Sequence, residues 1–228
     1  RRCSEFYNPS RQIRFAILNF SSLTAKAFFQ ELCQRLASYK FETLAPSECV
    51  KWISLENLPD TEARAKLEAT VDEVTILNPD LTLVFLPQSD RAKDDSDGNS
   101  LYAWVASRLL RRKISSQVIY ENTLKNPDNY QHILNNVVPG ILAKLGNLPF
   151  VLVEPLTIAD YFIGLDVARK PKKNLPGSMN FCACVRLYGQ KGEFINYQLA
   201  DSLTEGEEIP PRILRDFLPQ ANLKNKKV

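Results

Sequence analysis

Asp166 is the residue with the sharpest chemistry in this sequence. It stands in Phe162-Ile163-Gly164-Leu165-Asp166-Val167-Ala168. A period of two puts Phe162, Gly164, Asp166 and Ala168 on one face of a strand and Ile163, Leu165 and Val167 on the other. A carboxylate on a strand core is costly unless it is solvated, hydrogen-bonded or bound to a cation. Gly164 beside it leaves room for the backbone of a ligand. An Asp that closes a turn at a strand end is the structural alternative. One aspartate cannot run a two-metal hydrolysis, because two Mg²⁺ ions about 4 Å apart need several carboxylates. The same segment also offers Asp201, Glu205, Glu207 and Glu208. Glu207 and Glu208 equally suit a helix start, where the dipole favours negative charge.

A second set lies in the basic part of the chain. Residues 102–150 hold six Lys and Arg against two Asp and Glu, whereas residues 1–101 hold 12 against 15 and residues 151–228 hold 11 against nine. The middle segment is where a polyanion would be sought. Tyr102 opens it, Arg108, Arg111, Arg112 and Lys113 follow, and Gln117 and Lys144 come later. Cations at a helix end also suit the dipole without any ligand. An aromatic ring for stacking, an amide for hydrogen bonding and an ammonium for charge suit the terminus of a nucleotide strand. Free backbone N–H groups at a helix start near Asn129 would add an anion site.

The scarcity of other residue types removes several classes. His132 is the one histidine, which argues against a His-rich zinc site or a His-Cys-Asp relay. Cys3, Cys33, Cys49, Cys182 and Cys184 are odd in number and form no C-x-x-C pair. Buried reduced thiols, and hence a reducing cytoplasm, are expected. The eight glycines form no G-x-G-x-x-G, G-x-x-x-x-G-K-[ST] or G-x-S-x-G, so no dinucleotide site, P-loop or hydrolase elbow is signalled. No apolar run reaches the ~20 residues of a membrane span. No apolar segment follows Arg1-Arg2-Cys3-Ser4-Glu5, so neither a signal peptide nor a membrane partner is expected. The chain has no initiator Met and reads as a piece of something longer.

These side chains need elements to position them. Residues 13–20 and 81–86 read as buried strands, and 116–120 as a third. Helical spacing covers 22–39, 60–77, 101–112 and 129–145, the last closed by Gly146. Residues 41–55 read as a short strand and a loop, and residues 88–100 as a polar surface loop. Strands alternating with helices imply a parallel sheet with helices on both faces. A Rossmann-like α/β domain is therefore expected over residues 1–148. The pattern then changes. Strands over 160–168, 180–188 and 193–199, the last two joined by the turn Gly189-Gln190-Lys191-Gly192, form an antiparallel meander. A helix over 207–217 follows, its prolines tolerable in the first turn. Residues 149–228 thus read as the start of a ribonuclease H-like domain.

The order of these pieces resembles the Argonaute family, as a MID domain followed by the first third of a PIWI domain, of the long bacterial type. Three stretches carry the resemblance: Leu101-Tyr102-Ala103-Trp104-Val105 with Ser115-Ser116-Gln117; residues 135–146 (NNVVPGILAKLG); and Tyr161-Phe162-Ile163-Gly164-Leu165-Asp166-Val167. The resemblance implies a short guide strand of DNA or RNA, held by its 5′ end, and a complementary target cut with Mg²⁺ or Mn²⁺. It implies that Tyr102 stacks on the first guide base, that Gln117 and Lys144 hold the 5′ phosphate, and that Asp166 is the first metal-binding carboxylate. By its place before a helix, Glu208 would be the catalytic glutamate, with Glu207, Glu205 and Asp201 as alternatives.

The sequence departs from the family at two places. The Lys that many members carry four residues after the Tyr is Ala106 here, and a further Lys of eukaryotic members falls on Gly140. A weak preference for a 5′ phosphate is expected in consequence. Two other readings compete. One is a guided binding module without catalysis. The other is an actin-like or sugar-kinase ATPase, which also opens with a strand, a Gly and an Asp. That reading needs a small phosphate turn where this chain has Val167-Ala168-Arg169-Lys170-Pro171.

Overall fold

Apolar runs without alternation need cover on both faces, and the first unit of the chain supplies it. In the computed structural model residues 12–44, 50–52, 60–93, 100–171, 178–200, 204–205, 211 and 223–228 are described. β1 (Gln12–Asn19) buries its last five positions. α1 (Lys26–Ser38) turns Phe28, Leu32 and Leu36 inward. Where one short strand and a loop are expected, two three-residue strands, β2 (Glu42–Leu44) and β3 (Val50–Trp52), pair in succession along β1. α2 (Asp60–Ile76), β4 (Leu81–Leu86), α3 (Leu101–Arg111), β5 (Ser115–Tyr120), the single turn α4 (Glu121–Leu124) and α5 (Tyr130–Lys144) complete the unit.

The sheet is parallel, in the order β2-β1-β4-β5 with β3 also beside β1. β4 lies inside it and is buried at all six positions, as a parallel strand covered on both faces must be. One core joins α1 and α5 to Phe15, Ile17, Leu83, Phe85 and Ile119. The other joins α2 and α3 to Ala16, Leu18, Val84 and Leu86. Fully burying one such Leu or Phe contributes about 1.5–3 kcal/mol, so the two cores fix where each helix lies. Gly146, with φ of +82°, closes α5 in the left-handed conformation that suits glycine.

Within the surface loop expected over 88–100, the start differs. Gln88–Ala92 form a 3₁₀ turn, and Asp90 within it is only 2% exposed. The physical reason is α3, whose first turn contains no acidic residue of its own and draws its acceptors from this turn.

The chain divides into two compact units, the first running to Pro149 and the second from Phe150 onward. In the second unit β6 (Tyr161–Pro171), β7 (Ser178–Gly189) and β8 (Phe194–Ala200) form an antiparallel meander, and the two-residue β9 (Thr204–Glu205) pairs with β7. Val185 and Leu187 are buried on one face of β7. In the turn into β8 the Glu193 carboxylate folds back over Gly189 and accepts from the Lys191 N–H at 2.8 Å. The helix expected over 207–217 lies outside the described residues. Among the described residues no helix is long and apolar enough to cross a membrane.

Candidate functional site

β5 is the edge of the first sheet among the described residues, paired with β4 alone. α3 packs beside Val118 and Tyr120 on one of its faces, and α5 packs against Ile119 on the other. The last turn of α5 brings Lys144 to this edge. Its Nζ donates to the Ser116 carbonyl at 2.6 Å and to Gln117 Oε1 at 2.9 Å. Gln117 Nε2 donates in turn to the Val118 carbonyl at 3.1 Å. Carbonyls two apart on a strand point the same way, so the two side chains together cover outward groups that an edge strand leaves open. An ammonium has three N–H donors, and the third on Lys144 has no partner among the described residues. Partial burial of the ammonium lowers its pKa from the ordinary lysine value, since burial disfavours the charged form. Gly140 faces this pair. A Cβ there would meet Gln117 Oε1 at 3.6 Å, so a longer side chain at 140 would press on Gln117.

Tyr102 lies in the first turn of α3 and is 39% exposed. No hydrogen bond or ring contact among the described residues joins it to Gln117 or Lys144, so the structure brings together two of the three expected strand-end residues by direct contact. Ala106 follows Tyr102 by one helical turn. Two cations of the basic cluster after it are occupied. Arg108 lies over the Trp104 ring at 4.0 Å and donates from Nε to Glu68 at 2.7 Å. Arg112 pairs with Asp72 at 2.5 Å and with Glu68 at 3.7 Å. The acidic excess upstream in sequence thus meets the basic excess in space, while Arg111 and Lys113 stay exposed.

The anion site expected at the start of the last helix is not part of this arrangement. α5 begins at Tyr130 and ends at Lys144, which separates its first amides from Lys144 by ~21 Å at 1.5 Å per residue. Those amides also follow directly from a 3₁₀ turn, Pro127–Asn129. The residue missed in the sequence is Asp90. Its carboxylate accepts from the backbone N–H groups of Leu101 at 2.8 Å and Tyr102 at 2.9 Å. Nothing local signals this, because donor and acceptor stand 11 and 12 residues apart.

Asp166 is on β6 and exposed, as is its neighbour Leu165 at 46%. Solvation therefore resolves the cost of a carboxylate on this strand. Directly opposite on β7 stand Cys184 across from Asp166 and Arg186 across from Gly164, and opposite residues share a face. Side-chain interactions with Cys184 and Tyr188 raise the pKa of Arg186. A Cβ on Gly164 would make an ordinary contact with Tyr188 at 3.5 Å, so crowding does not force the glycine. Glu205 lies in β9, whereas Asp201, Glu207 and Glu208 fall outside the described residues. Among the described residues no group of three His, Cys, Asp or Glu could hold a metal ion. One carboxylate by itself does not complete a two-metal centre.

No family model matches this sequence. It is 33% identical over 155 residues, 68% of the chain, to the protein argonaute of Aquifex aeolicus (strain VF5). The chain belongs to the Argonaute family. The crystal structure of A. aeolicus Argonaute matches 94% of the chain with a TM-score of 0.62 and 27% identity. That of Kluyveromyces polysporus Argonaute with a guide RNA matches 95% with a TM-score of 0.57 and 17% identity, which is likeness of fold. The chain spans 21% of the Aquifex sequence and 28% and 27% of the two crystal chains. In Argonaute terms, the parallel sheet is of the MID kind, and the meander is the opening of a ribonuclease H-like PIWI sheet.

Proposed function

We propose that this part of an Argonaute binds the 5′ end of a short single-stranded guide, DNA or RNA, which pairs with a complementary target. Tyr102 stacks on the first base, and Gln117 and Lys144 take the terminal phosphate. The observation that carries the reading is Lys144: an ammonium on an exposed residue, oriented by Ser116 and Gln117, with one donor left for a ligand. A charge-assisted hydrogen bond from a pre-oriented donor is stronger than a neutral one. Support comes from the likeness to Argonautes, one of them solved with a guide RNA.

Binding of a 5′-phosphorylated strand to the chain, measured against salt, tests this. Phosphate contacts release counterions, so affinity should fall as salt rises. A flat salt response, or unchanged affinity in a Tyr102→Ala plus Lys144→Ala double variant, would overturn it.

Asp166 would serve a longer protein as the first carboxylate of a divalent-metal site, with Mg²⁺ or Mn²⁺, in a guided endonuclease. The described residues do not complete such a site, so the chain alone is expected not to cleave nucleic acid. Mg²⁺- or Mn²⁺-dependent cleavage by the purified chain, abolished by Asp166→Ala, would contradict this. A longer protein that binds target without cutting it, and is unaffected by Asp166→Ala, would favour the purely binding reading.

A further inference from the structure

A helix start leaves its first amides without intrahelical partners. In α3 those amides are taken. The two oxygens of Asp90 accept from Leu101 at 2.8 Å and Tyr102 at 2.9 Å, and Ser100 Oγ accepts from Ala103 at 3.2 Å. Asp90 is itself held by its 3₁₀ turn, its N–H donating to the Pro87 carbonyl at 3.1 Å. It is nearly inaccessible to water, and Lys93 is the cation near it among the described residues, at 3.7 Å. A buried carboxylate is tolerated only where its oxygens are satisfied. Here both oxygens are spent on consecutive amides, one of them belonging to Tyr102.

Two bonds to adjacent amides fix the orientation of a helical turn and with it the Cα–Cβ direction of Tyr102. Ser100 already caps the helix, so Asp90 is a second, converging restraint. Its charge also fills the positive end of α3, where the first backbone amides would otherwise attract an anion. We infer that Asp90 is a positioning residue for strand binding: it aims the Tyr102 ring at the first base and closes the start of α3 to the terminal phosphate, which is left to Lys144. The inference rests on the guide-binding reading above.

The test uses the 228-residue chain and two short 5′-phosphorylated DNA strands. They are identical except that one lacks the base of its first nucleotide. Affinities are measured for both with wild type, Tyr102→Ala, Asp90→Ala and Asp90→Asn. Base–aromatic stacking sets the scale, so Tyr102→Ala should weaken the intact strand about fivefold or more and leave the abasic strand nearly unchanged. Asp90→Ala should weaken the intact strand about threefold or more, on the scale of a lost helix cap, again without loss on the abasic strand. Asp90→Asn keeps one acceptor and should fall between. Equal loss on both strands, or no loss, in the folded Asp90 variants would overturn the inference and leave Asp90 a cap that serves stability alone. If Asp90→Ala fails to fold, Asp90→Asn decides by the same comparison. If Tyr102→Ala itself shows no selective loss on the intact strand, the stacking reading fails, and the inference with it. A base-selective loss with Tyr102→Ala but not with the Asp90 variants sinks the inference alone.

Discussion

The two units treat their polar side chains in opposite ways. In the first, Asp90, Gln117 and Lys144 are bonded to backbone groups of the fold before any ligand arrives. In the second, Asp166 stands in solvent on an open strand face, opposite Cys184. A side chain held by backbone carbonyls has its geometry set by the fold, so binding spends little on ordering it. An exposed carboxylate has its geometry set by whatever meets it. On the proposed reading, the first unit would bind with its side chains already placed, and the second would present one carboxylate of a larger site.

The sharpest break would come at Lys144. Lys144→Met removes the charge and the oriented donor while keeping a flexible stem. A hydrogen bond to a charged group is worth roughly 1.5–3 kcal/mol, so affinity for a 5′-phosphorylated strand should fall about tenfold to a hundredfold. Asp166→Ala, measured alongside, should leave that affinity unchanged. Equal losses in both variants would show that the two regions do not divide the work as described.

Ala106 gives the next effect, and it is a gain. The methyl group at 106 offers neither charge nor donor one turn from Tyr102. Arg108 does not supply the lack, since Trp104 and Glu68 hold it. Ala106→Lys should tighten binding of a 5′-phosphorylated strand by about tenfold and leave a 5′-hydroxyl strand nearly unchanged. A wild-type chain that already prefers the phosphate strongly, with no gain in the variant, would mean that another cation, such as the exposed Arg111, fills this place.

A smaller effect concerns pH. Burial lowers the pKa of Lys144 from the ordinary lysine value of 10.5. The unfolded chain therefore keeps this proton to higher pH than the folded one, and stability rises with pH between the lowered value and 10.5. Phosphate binding needs the charged form, so affinity falls across the same window and binding there takes up a proton. The two trends have opposite sign. Titrating both in one alkaline series checks them. Lys144→Arg should flatten the binding trend, because a guanidinium stays charged throughout.

Much of this frame was legible in the sequence. The continuous apolar runs at β1 and β4 and the helical spacing around Phe28, Leu32 and Leu36 announce a parallel sheet covered on both faces. Gln117 and Lys144 were legible as a pair through the resemblance, and the structure joins them directly. What escaped was long-range. Asp90 caps a helix that starts 11 residues away, and Glu68 and Asp72 neutralise arginines 40 residues on. Neither leaves a periodic trace. The helix start near Asn129 and Lys144 lie at opposite ends of α5, so its first amides and the Lys144 ammonium do not meet at one point.

The smallest effect should be the stability change in Asp166→Asn. No ion pair to Asp166 is present among the described residues, and its carboxylate is open to water. A solvated carboxylate loses little on folding and gains little, so an isosteric amide should shift stability within about 0.5 kcal/mol. For a chain of this length that is a melting shift of about 1–2 °C. A matched substitution in the first unit, Asp90→Asn, strips the charge from a carboxylate bound to two amides, and should cost about 1 kcal/mol or more. Thermal melts of the two variants, side by side, measure the difference directly. A large drop with Asp166→Asn would show that this carboxylate is held by the fold after all, and the contrast between a built site and an open one would dissolve.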